Sequence, residues 1–156
     1  MRCEIEHKFL LTGSGWRDAA DAGVKLVQGY FEGSGPTVRV RLAGNDAFLT
    51  IKGKAAGVAR NEYEYAIPFG DAVKMLQEFC YPRVVSKIRY RVPAENGLVW
   101  EIDEYLGANA GLFTAEIELP SEDTAFVRSP WLGEDVSADK RYRNRSLSVY
   151  PYGTWK

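Results

Sequence analysis

Cys3-Glu4-Ile5-Glu6-His7-Lys8-Phe9-Leu10 alternates charged side chains with largely apolar ones. On an extended strand, successive side chains leave opposite faces. Glu4, Glu6 and Lys8 therefore share one face, and Cys3, Ile5, His7 and Phe9 the other. The same period of two recurs down the chain. Val38-Arg39-Val40-Arg41-Leu42 sets both arginines against aliphatic neighbours, and Lys52 lies with Thr50 and Phe48 opposite Leu49 and Ile51. Glu62 and Glu64 oppose Tyr63 and Tyr65, while Lys87, Arg89 and Arg91 oppose Ile88, Tyr90 and Val92. Glu101 and Asp103 oppose Trp100 and Ile102, and Glu116 and Glu118 oppose Ile117 and Leu119.

The alternation predicts strands at about residues 3–10, 38–42, 47–53, 60–67, 85–92, 99–105 and 114–119, with a weaker one at 27–32. Gly44-Asn45-Asp46 and Glu95-Asn96-Gly97 separate successive runs, and Asn-Gly tolerates the positive φ that a tight hairpin needs. Helices are few. Residues 71–80 place Val73, Leu76, Phe79 and Cys80 at helical spacing behind Asp71, a weaker candidate covers 16–26, and part of 122–148 is expected to be helical around Ala125–Val127 and Tyr142–Leu147. No repeat or linker divides the chain. The expectation is one domain over residues 1–156, α+β but mainly β, built as an antiparallel sandwich or barrel.

The 156 residues carry 20 Lys plus Arg against 21 Asp plus Glu and one His, for a net charge of -1. That balance argues against a broad nucleic-acid surface, a polybasic membrane surface or an acidic disordered tail. No apolar run approaches the roughly 18–20 residues of a membrane span, and no charged start leads into a signal-peptide core. Cys3 and Cys80 have no metal-ligand spacing and suit a reduced, cytoplasmic chain, where both read as small core residues. The expectation is thus a cytoplasmic protein with neither nucleic acid nor membrane as partner.

The polar faces of the seven clear strands hold Glu4, Glu6, Glu62, Glu64, Glu101, Asp103, Glu116 and Glu118, together with Lys8, Arg39, Arg41, Lys52, Lys87, Arg89 and Arg91. A solvated sheet face would mix Thr, Ser, Gln and Asn among its charges. Here those are scarce, and like-charged neighbours on a sheet cost stability. A closed barrel with a polar lumen resolves the conflict if the cations bind an anion and the carboxylates bind metal ions. The apolar faces then point outward, under the helices. Carboxylate oxygens suit Mg2+ or Mn2+ rather than zinc. Arg and Lys clusters match phosphate oxygens, and the combination suits phosphoryl transfer on a small polyphosphate.

Other features carry less. His7 faces away from the carboxylates of its own strand, which suits packing rather than catalysis. Lys140–Arg145, with Tyr142, Tyr150, Tyr152 and Trp155, is expected to pack its aromatics onto the barrel rather than bind nucleic acid. Gly53–Ala59, next to Lys52, is either a loop at the cavity mouth or a plain hairpin connection.

Glu4-Ile5-Glu6-His7-Lys8 resembles the E-x-E-x-K opening of the CYTH domain superfamily, the triphosphate tunnel metalloenzymes. The likeness continues in order through Gln28-Gly29-Tyr30, Val38–Arg41, Leu49–Lys52, Glu62-Tyr63-Glu64, Lys87-Ile88-Arg89, Trp100–Asp103 and Ala115–Glu118, and into Ser137–Tyr142 followed by Asn144. It implies an eight-stranded antiparallel barrel whose lumen binds triphosphate with Mg2+ or Mn2+. It also implies metal-dependent hydrolysis of a terminal phosphoanhydride, first of all that of inorganic triphosphate. A thiamine or nucleoside triphosphatase, an adenylate cyclase on the same site, and a non-catalytic polyphosphate-binding module are the alternatives. By the same resemblance, Glu4, Glu6, Glu116 and Glu118 would hold the main metal ion. Lys8, Arg39, Arg41, Lys52, Lys87 and Arg89 would grip the phosphates, Lys8 acting in catalysis as well. Glu62, Glu64 and Asp103 would serve a second metal or orient the attacking water. Arg91 and Glu101 share the inward register but receive no role.

Overall fold

Nine strands carry the alternation in the computed structural model, which describes residues 2–54, 56 and 59–155; the side chains of Arg2 and Glu4 lie outside what it describes. They are β1 (Arg2–Leu11), β2 (Val24–Tyr30), β3 (Thr37–Ala43), β4 (Asp46–Lys52), β5 (Ala59–Ala66), β6 (Val84–Pro93), β7 (Val99–Tyr105), β8 (Phe113–Glu118) and β9 (Leu132–Asp135). All neighbouring pairs are antiparallel. The sheet runs β5-β4-β3-β2-β6-β7-β8-β1-β9, and β5 also pairs with β1, which closes eight strands into a barrel. β1 makes the closure by splitting its partners. Arg2–Ile5 pair with β5, Glu6–Leu10 pair with β8, and Phe9 and Leu11 pair with β9. Asn96 (φ 57°) and Gly97 (φ 74°) supply the positive φ values of the β6–β7 turn.

Charged residues point inward and apolar ones outward, and the outer faces are covered piecewise. Helix α1 (Phe69–Met75) continues into a π-helical turn, Leu76–Cys80, and together they lay Ala72, Leu76 and Cys80 on Val40 and Ala47. Elsewhere irregular chain and the start of β9 do the covering expected of helices. Trp16 packs on Tyr90 (ring centroids 5.2 Å apart), and Phe126, Trp131 and Leu132 cover Phe9, Trp100 and Ile117. Burial of each such side chain stabilises the fold by about 1.5–3 kcal/mol.

Three expectations fail here. Residues 16–26 are not a helix: a single 3-10 turn, Arg17–Ala19, gives way to β2, whose Leu26, Gln28 and Tyr30 are buried. No helix forms around Ala125–Val127, where Phe126 is drawn onto Trp100. The helix expected around Tyr142–Leu147 is present, as a 3-10 turn at Lys140–Tyr142 followed by α2 (Asn144–Val149), while β9 was unforeseen. Cys80 is fully buried as expected, but Cys3 is exposed beside the β1–β5 seam. His7 faces outward, 5.4 Å from Phe126 between ring centroids. The Gly53–Ala59 connection includes Ala55, Gly57 and Val58, which lie outside the described residues.

Candidate active site

Barrel closure sorts the charges by arc. Around the ring, β7, β8, β1 and β5 are consecutive and carry Glu101, Asp103, Glu116, Glu118, Glu6, Glu62 and Glu64. The complementary arc, β4, β3, β2 and β6, carries Lys52, Arg39, Arg41, Lys87, Arg89 and Arg91, with Gln28 and Tyr30 of β2 among its neutral members. Lys8 and Arg60 are the cations set into the acidic arc among the described residues. The two arcs face each other across a cavity of about 520 Å³.

Ion pairs bridge the cavity wall. Lys8 Nζ lies 3.3 Å from Glu116 and donates to the Tyr142 carbonyl at 2.9 Å. Arg39 donates to the Thr50 hydroxyl at 3.1 Å and lies 3.5 Å from Glu64; its Nε is buried with no hydrogen-bond partner. Arg41 donates to Gln28 at 2.9 Å, and Gln28 donates in turn to Tyr30. Lys52 stands 3.8 Å from Glu62. Arg89 grips Asp103 through two nitrogens, each at 2.8 Å, and Lys87 Nζ meets the same carboxylate at 2.7 Å.

Burial and neighbouring charges compete over the protonation states. Burial pushes Lys87 down to about 7, against the partial relief offered by Asp103. Arg41 falls to about 9 through burial and then through repulsion from Arg39 and Arg89. Burial opposes the charge on Lys8, but Glu116, Glu6 and Asp103 outweigh it and hold its pKa above the ordinary lysine value. For Glu116, burial is overcome by Lys8 and Arg89, which keep it ionised well below the usual range. Burial of Asp103 is likewise overcome, by Arg89 first and Lys87 second.

The C-terminal segment fills one end of the barrel. Leu147 of α2 packs with Tyr142, Val136, Leu112, Tyr105 and Val85. Asn144 Oδ1 accepts hydrogen bonds from Lys87 and from the Tyr105 hydroxyl, at 3.1 and 2.9 Å.

The donor chemistry fits a hard divalent cation. Glu6 and Glu118 are cross-strand partners, Glu116 lies two residues from Glu118 on the same face, and every donor is a carboxylate oxygen. Among the described residues, no three His, Cys, Asp or Glu side chains already form a cage. Glu4, expected to complete the set, has its side chain outside what the structure describes.

Comparison with known proteins places this arrangement. The CYTH domain family model matches residues 2–150. The chain belongs to the CYTH domain family. An inorganic triphosphatase from Acetivibrio thermocellus is 44% identical over 154 residues, spanning 98% of this chain and 97% of its own. One from Nitrosomonas europaea is 36% identical over 150 residues, spanning 94% and 97%. A crystal structure of an inorganic triphosphatase superposes with a TM-score of 0.66 at 34% identity, over 96% of each chain. A Hippeastrum protein described as a putative adenylyl cyclase with dominant triphosphatase activity shares the fold, with a TM-score of 0.57 at 15% identity.

Of the CYTH residues expected from sequence, Glu6, Lys8, Arg39, Arg41, Lys52, Glu62, Glu64, Arg89, Glu116 and Glu118 line one cavity. Lys87 and Asp103 lie behind its wall, both fully buried. Arg91 and Glu101, left without a role, line the cavity as well and pair at 3.7 Å. Sequence reasoning missed Arg60, although it continues the Glu62–Glu64 face. It also missed the wall supplied by the C-terminal segment through Ser137, Asp139, Arg143 and Arg145. Ser137 and Asp139 fall within the Ser137–Tyr142 stretch of the family resemblance but were given no role, and nothing in the alternation points to Arg143 or Arg145.

Proposed function

We propose that this lumen is the active site of a metal-dependent triphosphatase that hydrolyses inorganic triphosphate to pyrophosphate and phosphate. The facing arcs are the observation that carries the reading: a polyphosphate needs many cations on one side and a divalent cation held on the other. The similarity to two inorganic triphosphatases over nearly the whole chain supports it.

Arg39, Arg41, Lys52 and Arg89 neutralise and orient the phosphate oxygens, with the Arg39 Nε donor awaiting an acceptor. Glu6, Glu116 and Glu118, with Glu4, hold Mg2+ or Mn2+, and that ion supplies further neutralisation of the phosphate charge. Lys8, kept charged by Glu116, places a cation among the carboxylates, where it would neutralise phosphate charge. Glu64, with 41% of its side chain exposed, has the access to take a proton from the attacking water, whereas Glu62 is buried against Lys52. Asp103 is committed to Arg89 and Lys87, so its part is to position those cations.

The test is kcat/KM for inorganic triphosphate, ATP and thiamine triphosphate with Mg2+ or Mn2+. Preference for inorganic triphosphate supports the reading. Cyclic AMP and pyrophosphate from ATP would overturn it, as would tight binding of every compound without turnover.

A further inference from the structure

Arg145 belongs to α2 rather than to a barrel strand, yet it lines the same cavity. Its guanidinium donates to the Thr37 hydroxyl at 3.2 Å and to the Gly33 carbonyl. Both acceptors are neutral. The neighbouring strand cations are countered by carboxylates: Arg39 by Glu64 and Lys52 by Glu62. Among the described residues Arg145 makes no ion pair. An arginine held in a cavity by neutral groups alone can turn its fork onto a phosphate without abandoning a carboxylate.

Its position along the lumen is set by register. Arg41, Arg39 and Thr37 are successive inward residues of β3, about 7 Å apart. Thr37 is the cross-strand partner of Lys52. Arg145 therefore extends a ladder that begins at Arg41 and Arg39, and it does so from the C-terminal segment. Two phosphates can engage Arg41, Arg39 and Arg89. A third, further along the ladder, reaches Lys52 and Arg145.

Resting on the triphosphatase reading above, we infer that Arg145 binds an end phosphate of the triphosphate chain and is the residue by which α2 helps this site distinguish three phosphates from two. Gly33 and Thr37 hold the guanidinium in place until the anion arrives.

The experiment compares wild type, Arg145→Gln and Arg145→Lys in the presence of Mg2+, reading KM and kcat for inorganic triphosphate, Ki for pyrophosphate as competitor, and the thermal midpoint. Loss of one charge-assisted contact predicts about a tenfold rise in KM for Arg145→Gln. The Ki for pyrophosphate stays unchanged, kcat is little altered, and Arg145→Lys restores part of the KM. An unchanged KM overturns the inference, and so does a Ki raised by the same factor, since that would mean Arg145 merely supports the fold of the shared site. A wild-type protein that neither binds nor hydrolyses triphosphate would instead remove the functional reading itself.

Discussion

Lys87 and Asp103 meet at 2.7 Å with neither side chain reached by solvent, and Asp103 accepts from Arg89 at both oxygens while sharing Oδ2 with Lys87. The pair is therefore unequal. Asp103 has two cations, and Lys87 has one carboxylate plus the amide oxygen of Asn144. Removing Asp103 leaves the buried Lys87 with no carboxylate and Arg89 with Glu101 alone, at 3.4 Å, whereas removing Lys87 leaves the carboxylate with both bonds from Arg89.

Asp103→Ala is expected to destabilise the fold by about 3–5 kcal/mol, the usual cost of leaving buried charge without its partner. Lys87→Met, which puts an apolar chain of similar length in the same space, costs clearly less. Urea denaturation of both variants checks the order. Equal losses would mean that Arg89 does not hold Asp103 as the geometry indicates.

The depressed pKa of Lys87 gives a pH signature with a definite sign. Its folded-state value of about 7 lies below the unfolded lysine value of about 10.4. Between these values the unfolded chain carries the extra proton, so the contribution of this group to stability rises with pH across that window. Wild type should gain stability relative to Lys87→Met as pH increases from about 6.5 to about 9. Urea midpoints measured in parallel at the two pH values read the difference. A flat or falling difference would mean that burial does not govern Lys87.

Gly29 tests the packing outside the lumen. A Cβ there would lie 2.6 Å from Cys80 Cβ and 2.7 Å from Leu76 Cδ2, under the π-helical turn. Gly29→Ala should cost about 1–3 kcal/mol through overpacking. The turnover per folded molecule, measured well below the thermal midpoint, should not change.

At the site, Arg39→Ala is expected to raise KM for triphosphate by about tenfold or more, with a smaller change in kcat. Glu116→Gln should abolish metal-dependent turnover while leaving the circular dichroism spectrum intact. Full activity in Glu116→Gln would displace this residue from the metal assignment, and an unchanged KM in Arg39→Ala would displace Arg39 from phosphate binding.

The residues that alternated cleanly were legible as barrel strands, because period two with charge on one face survives any tertiary arrangement. β2 was half-hidden: its inward positions include Gln28, and Gly29 supplies no side chain on the other face, so only a weak strand at 27–32 was expected and its first residues fell to a helix candidate at 16–26. β9 escaped because it is four residues long with Leu132 as its one buried member, and its pairing depends on the edge of β1. The charges themselves were visible, but not their division into arcs. Cationic β3 and β4 precede acidic β5 in the chain, and cationic β6 precedes acidic β7. Only the ring order, which seats β2 between β3 and β6, joins the cations into one wall. The near-neutral net charge of -1 thus conceals two opposed charged walls inside the barrel. It excludes a broad basic exterior and says nothing against a small polyanion inside.

The most direct test of that picture is a 31P NMR time course on the purified protein with inorganic triphosphate, run with Mg2+ and again with excess chelator. The account predicts that with Mg2+ the triphosphate signals are replaced by pyrophosphate and orthophosphate in equal molar amounts, and that they persist under chelation. An unchanged spectrum with Mg2+ present, or equal hydrolysis under chelation, would contradict it.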